Sequence, residues 1–350
     1  MNADARAFVC GCAGLDLTSD ERRFIAGARP WGLILFKRNI GDRTQVARLT
    51  RSFRELVGRA DAPMLVDQEG GRVQRLGPPH WPKYPPAAAF DRLTGLSIEE
   101  KQRLVWLSAR LMAADLHAVG ISVDCLPVLD VPAAGGHAII GDRAYCNDPQ
   151  KIARFGRAAA EGLLAGALLP VMKHLPGHGR AAADSHLELP IVAADRASLE
   201  TVDFVPFRAL SDLPIAMTAH VVYTALDPDR PATTSRRVVA EVIRAEIGFD
   251  GLLLSDDLSM RALSGGLGER AAAAFSAGVD VALHCNGDLV EAQAVAAAAP
   301  FLAGKSLARA AAALALIAAD PEPFDPVDAS AALQSALAGT GESGQSTFSL

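Results

Sequence analysis

Gly251-Leu252-Leu253-Leu254-Ser255-Asp256-Asp257 runs through three consecutive leucines and stops at two carboxylates. A strand with one wet face alternates apolar and polar residues. A continuous apolar run suits a strand covered on both faces, as in a parallel sheet flanked by crossover helices. The same kind of run recurs at 7–12, 32–36, 63–67, 121–128, 170–174, 214–218 and 279–284, which with 251–255 makes eight candidate strands. Helix-like stretches separate most of them, at 42–57, 98–116, 149–165, 239–247, 270–277 and 288–299. In the first, Val46, Leu49, Phe53 and Leu56 fall on one side and Arg48, Arg51 and Arg54 between them, the period a crossover helix requires. Repeated strand–helix alternation predicts an α/β fold, a (β/α)8 TIM-type barrel, with some irregularity in the first strands. The competing architecture is an open doubly wound sheet, but no GxGxxG opens a helix after the first strand.

Composition agrees with a large folded enzyme-sized domain. The chain has 350 residues, half of them apolar and 21% charged, enough to bury a sizeable core and too apolar for disorder as the main state. The formal charge of −6 argues against a nucleic-acid partner, whose footprint is usually basic. The N-terminus lacks the basic start and apolar run of a secretory signal, and charge interrupts the Ala-rich stretches before they reach the length of a membrane span. Cys10, Cys12, Cys125, Cys146 and Cys285 are odd in number and scattered, which reads as reduced, mostly buried thiols and a cytoplasmic location. We expect residues 1–320 to form one catalytic barrel domain and 321–350 a C-terminal extension, its last dozen or so residues mobile.

Polar residues gather where the candidate strands end. The third runs into Asp67-Gln68-Glu69-Gly70-Gly71-Arg72, the fourth leads to Asp130, the fifth ends Lys173-His174, the sixth Thr218-Ala219-His220 and the seventh Ser255-Asp256-Asp257. In a barrel these ends converge on the face that carries catalysis. Asp256 and Asp257 are adjacent, so in extended backbone they point to opposite faces. One is expected to face the mouth and the other to brace a loop or cap a helix, and spacing alone does not say which. Residues 176–186 form a second cluster. Gly177 and Gly179 permit a tight turn, and Asp184 and His186 stand two apart, where a carboxylate could hold an imidazole for proton transfer. A solvent-exposed loop histidine beside an aspartate is the plainer reading of the same two residues. His174, His178, His186 and His220 also offer a zinc reading, but Pro176, Gly177 and Gly179 oppose the helix that would pair His174 with His178, and there is no HExxH. The expectation is no metal and no cofactor.

These stretches resemble the glycoside hydrolase family 3 β-N-acetylglucosaminidases, in particular the single-domain bacterial cytoplasmic type of peptidoglycan recycling. The resemblance rests on Lys173-His174-Leu175-Pro176-Gly177-His178-Gly179, Asp184-Ser185-His186 and Ser255-Asp256-Asp257-Leu258-Ser259-Met260. It extends to Leu35-Phe36-Lys37-Arg38-Asn39, Asp67 through Val73, Pro127-Val128-Leu129-Asp130, Gly141-Asp142-Arg143 and Met217-Thr218-Ala219-His220. It implies a retaining exo-β-N-acetylglucosaminidase that removes terminal N-acetylglucosamine from GlcNAc-anhydroMurNAc, with or without peptide. It assigns Asp256 as nucleophile, His186 as general acid/base on a mobile loop, and Asp184 as its partner. Asp67, Arg143, Lys173 and His174 match sugar-binding positions; Arg75, Asp130 and His220 match less firmly. A broad-specificity β-glucosidase or β-xylosidase of the same family, or a non-catalytic sugar-binding barrel, are the alternatives. Leu175, Arg180-Ala181 and Ala144-Tyr145-Cys146 depart from the usual Phe, Asp-Thr and Ser-Phe-Gly, which touches the packing behind the arginine and the loop's resting shape. The expected partner is a small saccharide or muropeptide, with no nucleic acid or membrane, and the chain is expected to act as a monomer.

Overall fold

Local signals start the helices where the periodicity places them. Asp42 accepts from the Gln45 amide and caps Arg43–Val57, which ends at Gly58 in the left-handed region. Ser97 forms a capping box with Glu100 ahead of Ile98–His117. Asp148 caps Pro149–Ala165, with the proline in the first turn where its missing N–H costs nothing. Asp288 caps Leu289–Ala298. Caps of this kind are each worth about 1 kcal/mol. Val46, Leu49 and Phe53 are buried as their spacing requires. The stretch expected as a helix at 239–247 forms the wider π-type helix Val238–Glu246.

The computed structural model describes residues 4–133, 139–181, 183–185 and 187–338. Eight parallel strands close into a barrel in sequence order. They are β1 (Arg6–Cys10), β2 (Pro30–Leu35), β3 (Met64–Val66), β4 (Val123–Asp124), β5 (Leu169–Leu175), β6 (Ile215–Thr218), β7 (Leu252–Asp257) and β8 (Val281–His284). β8 returns to β1 with Phe8 opposite Ala282 and Cys10 opposite His284. The first strand pair carries the expected irregularity: its register shifts between Arg6 and Val9.

β4 is far shorter than the run at 121–128 suggests. Pro127 has no N–H to give the ladder. The chain instead crosses to β5 through the Leu129 amide on the Lys173 carbonyl and the Lys173 amide on the Pro127 carbonyl. This detour carries Asp130 to the rim of the barrel.

Side-chain parity along the strands decides what faces inward. Val9, Ile34, Leu65, Val123, Val171, Leu252 and Leu254 belong to one buried cluster, the barrel interior. Leu33, Leu35, Met64, Val66, Met172 and Leu253 belong to a second, between sheet and helices. Ala310, Ala313 and Leu314 of the helix Gly304–Ala315 join the interior cluster. Continuing the interior parity past the apolar residues gives Asp67 after Leu65, Lys173 after Leu169 and Val171, and Asp256 after Leu252 and Leu254.

The segment after Pro321 packs onto the barrel as far as it is described. Phe324 sits edge-on to Trp106 with ring centres 6.2 Å apart, and Arg110 donates to the Glu322 carbonyl at 2.7 Å. The helix Pro326–Ala338 buries Ala329 and Leu333. The stretch expected to be mobile, the last dozen residues, lies outside the described residues. All five cysteines are free; Cys146 is half-buried and the others are buried.

Candidate active site

The strand ends open into a cavity of about 450 Å³. Asp67, Arg75, Arg143, Lys173, His174 and Asp256 all line it, so six of the eight expected site residues are brought together.

One wall is a chain of alternating charges. Lys173 Nζ donates to Asp67 Oδ1 at 2.9 Å and to Glu69 Oε1 at 2.6 Å. Arg75 donates to the other oxygen of Asp67 at 2.9 Å. Arg143 grips Glu69 through two bonds of 2.8 Å, the bidentate geometry that fixes both partners. Burial penalises charge on both carboxyls, but the neighbouring cations outweigh it. They hold Asp67 well below the usual carboxylate range and bring Glu69 down to about 2. Lys173 is buried too, which by itself disfavours its charge, yet Asp67 and Glu69 push its pKa above the ordinary lysine value. Asp67, Glu69 and Lys173 are therefore charged at neutral pH; Asp67, Arg75, Arg143 and Lys173 line the cavity, where they can meet hydroxyl groups, and Glu69 stands behind them.

Glu69 is the member that sequence reasoning left out of the site. Its signal was present: it stands two residues beyond Asp67. The hairpin that carries it pairs Gln68–Gly70 with Val73–Gln74. Gln68 clamps it from inside, donating to the Leu76 carbonyl and accepting from the Arg75 and Leu76 amides. Gly70 has φ of 90° and its missing Cβ would lie 2.2 Å from the Pro85 carbonyl oxygen, so no other residue fits there.

The second wall is built on Asp130. One carboxylate oxygen accepts the His174 amide at 3.1 Å and the His178 amide at 2.7 Å, and the other meets His174 Nδ1 at 2.8 Å. Asp130 is buried, which opposes its charge, but the two histidines hold it at about 2. It orients His174 rather than lining the cavity itself. Burial lowers His178 to about 4 against the pull of Asp130, so its ring is neutral at pH 7. His178 Nε2 lies 3.2 Å from Ser185 Oγ and ties together the two ends of the 176–186 loop. The Tyr223 hydroxyl donates to the Gly177 carbonyl at 2.8 Å, and Arg180 pairs with the buried Asp203 at 2.6 Å. Gly179 packs where a Cβ would sit 2.0 Å from the Val131 carbonyl oxygen.

Asp256 and Asp257 both line the cavity, and the bonds on them differ. Asp257 accepts from the Ser259 and Cys285 amides at 3.0 Å each and from the Ser259 hydroxyl at 2.6 Å. It braces the turn after β7. Asp256 carries the interior parity and accepts the Asp257 amide at 2.8 Å. His220 stands behind this turn: Nε2 lies 3.0 Å from the Asp257 carbonyl and Nδ1 2.7 Å from Thr233 Oγ1. It supports β7 from outside the cavity lining.

Asp184 is half-buried and is not part of the cavity lining. Its carbonyl accepts the Leu187 and Glu188 amides, and the next residue, Ser185, does line the cavity and accepts the Ala262 amide at 3.2 Å. The expected acid/base, His186, lies outside the described residues. Among the described residues no group of three His, Cys, Asp or Glu is placed to hold a metal ion, and no helix is long and apolar enough to cross a membrane.

The Glycosyl hydrolase family 3 N terminal domain matches residues 13–312. A protein named Beta-hexosaminidase from Alkalilimnicola ehrlichii is 41% identical over 283 residues, covering 79% of each chain. The crystal structure of NagZ from Neisseria gonorrhoeae in complex with N-trifluoroacetyl-D-glucosamine superposes with a TM-score of 0.81 at 30% identity, over 96% of this chain and 97% of that one. A glycoside hydrolase family 3 beta-N-acetylglucosaminidase from Paenibacillus sp. gives 0.82 at 28% identity, over 94% of this chain and 66% of that longer one. A closed barrel, an ionised cavity at its C-terminal face and a domain match over most of its length place the chain in one family: it belongs to glycosyl hydrolase family 3 and is a glycoside hydrolase.

Proposed function

We propose that this protein is a retaining exo-β-N-acetylglucosaminidase that releases terminal N-acetylglucosamine from cytoplasmic peptidoglycan fragments, GlcNAc-anhydroMurNAc with or without peptide. The observation that carries the reading is Asp256, a carboxylate of interior parity at a strand end, on the wall of a cavity that also presents a fixed array of hydroxyl-binding charges. The hexosaminidase name of the relatives and the N-acylglucosamine analogue bound by the Neisseria protein support the choice of sugar.

In the proposed reaction Asp256 attacks the anomeric carbon as the bond to the leaving oxygen breaks, and His186 gives that oxygen its proton. Water then attacks the glycosyl–Asp256 ester, its proton passing to His186, and the product keeps the β configuration. Asp184 stabilises the imidazolium. Asp67, Arg75, Arg143, Lys173 and His174 hold the sugar, with Glu69 and Asp130 fixing the cations and the imidazole that touch it.

Nitrophenol release from the β-N-acetylglucosaminide and the β-glucoside, with chelator present, tests this. Strong preference for the first, unaffected by chelator, is expected. Preference for the glucoside contradicts the specificity, and loss of activity to chelator contradicts the metal-free mechanism.

A further inference from the structure

A second hollow of about 470 Å³ lies against the outside of the hairpin that frames the sugar cavity. The two share Arg75, which lines both. Lys37, Lys83 and His80 line the hollow with it, and no Asp or Glu is among its described lining residues. Gln74 fixes the wall, donating to the Leu76 and Pro82 carbonyls at 2.8 and 2.7 Å and accepting the Tyr84 amide at 2.9 Å. Behind this wall two buried donors, Nε of Arg75 and the indole Nε1 of Trp81, find no acceptor among the described residues. Trp81 is only 3% exposed, and a buried donor left unpaired is costly unless a ligand or water meets it.

Lys37, Lys83 and His80, with no carboxylate among the described lining and the charge of Arg75 already met by Asp67, leave a net positive hollow that suits a ligand made of acceptors with negative charge. The sugar cavity takes the non-reducing end of the substrate, so whatever follows the scissile bond leaves through its mouth. Arg75, which lines both spaces, is stacked over Phe36, 4.8 Å from the ring centre. We propose that this hollow is a carboxylate-binding subsite for the peptide arm of the aglycone, so that peptide-bearing fragments are recognised beyond their two sugars. The inference rests on the peptidoglycan-fragment reading above and adds which form of the fragment the protein selects.

The test compares kcat/KM on three substrates: the peptide-bearing fragment, the same fragment with its peptide carboxylates amidated, and the nitrophenyl β-N-acetylglucosaminide. The proteins are the wild type, the double variant Lys37→Ala/Lys83→Ala, and Lys83→Glu; these lysines lie outside the catalytic machinery. The wild type should favour the free-carboxylate fragment over the amidated one. The double variant should lose about fivefold on the free-carboxylate fragment, mainly through KM and less at high salt, and Lys83→Glu should lose more. The amidated fragment and the nitrophenyl glycoside should be unchanged. Equal activity of the wild type on the free and amidated fragments, or parallel losses on all three substrates, overturns the subsite while leaving the peptidoglycan reading in place. Wild-type turnover of the nitrophenyl glycoside with none of either fragment overturns that reading, and the subsite with it.

Discussion

At the residue scale, what separates Asp256 from Asp257 is not their chemistry but their bonds. Both line the cavity, but three donors occupy Asp257, while Asp256 continues the interior parity of Leu252 and Leu254. Asp256→Ala should therefore reduce turnover by at least about 10³-fold while urea unfolding stays cooperative; lost cooperativity would mean that Asp256 also holds the fold. His186→Ala should cost far more with poor leaving groups than with nitrophenyl ones, and equal losses with both would contradict general acid catalysis. Lys173 is different because its burial makes it structural as well. Lys173→Met leaves Asp67 and Glu69 without their shared cation, and should destabilise the protein by about 3–5 kcal/mol at pH 7. The depressed Glu69 pKa, about 2, contributes stability that is full above the unfolded value near 4.5 and is lost as pH falls through 2. The difference between wild type and Lys173→Met, read by urea melts, should thus shrink as pH falls across that window.

At the scale of elements, the strands and most helices could be read in the sequence because period and position suffice for them. Seven of the eight expected strands overlap observed ones closely; the fourth is cut short by Pro127, a backbone effect that an apolar run conceals. The polar strand ends were legible for the same reason. The roles of Glu69 and Asp130 were not, because a residue that positions another is defined by its partners, and these come from distant parts of the chain: Arg143 for Glu69, His178 for Asp130. The 176–186 loop illustrates both sides. Its glycines announced a tight turn, but only the structure shows Gly179 against the Val131 carbonyl. Gly179→Ala must push the loop away from the Val131 carbonyl, and should lower kcat/KM by about 10- to 100-fold with a smaller loss of stability. A variant with unchanged kcat/KM would show that the loop's seating does not set the rate. The helix Pro326–Ala338 makes the opposite prediction. Leu333 is 1% exposed and remote from the cavity, so Leu333→Ala should cost about 2–4 kcal/mol in urea melts and leave KM for the nitrophenyl glycoside unchanged.

For the whole molecule, the arrangement is a division of labour between the two cores. The inner cluster fixes strand parity and so aims Asp67, Lys173 and Asp256 into one space. The outer cluster anchors the helices whose preceding loops close around it. The chain is expected to act as a monomer, so specific activity should be independent of enzyme concentration; a fall on dilution would point to a required partner copy. The proposed reaction requires a covalent glycosyl-enzyme formed at the mouth of this barrel. The most direct measurement is NMR of the N-acetylglucosamine first released from the nitrophenyl β-glycoside, before mutarotation. The β anomer appearing first is the predicted result, since two displacements restore the original configuration. The α anomer appearing first would mean a single displacement by water, and Asp256 would then not be the nucleophile.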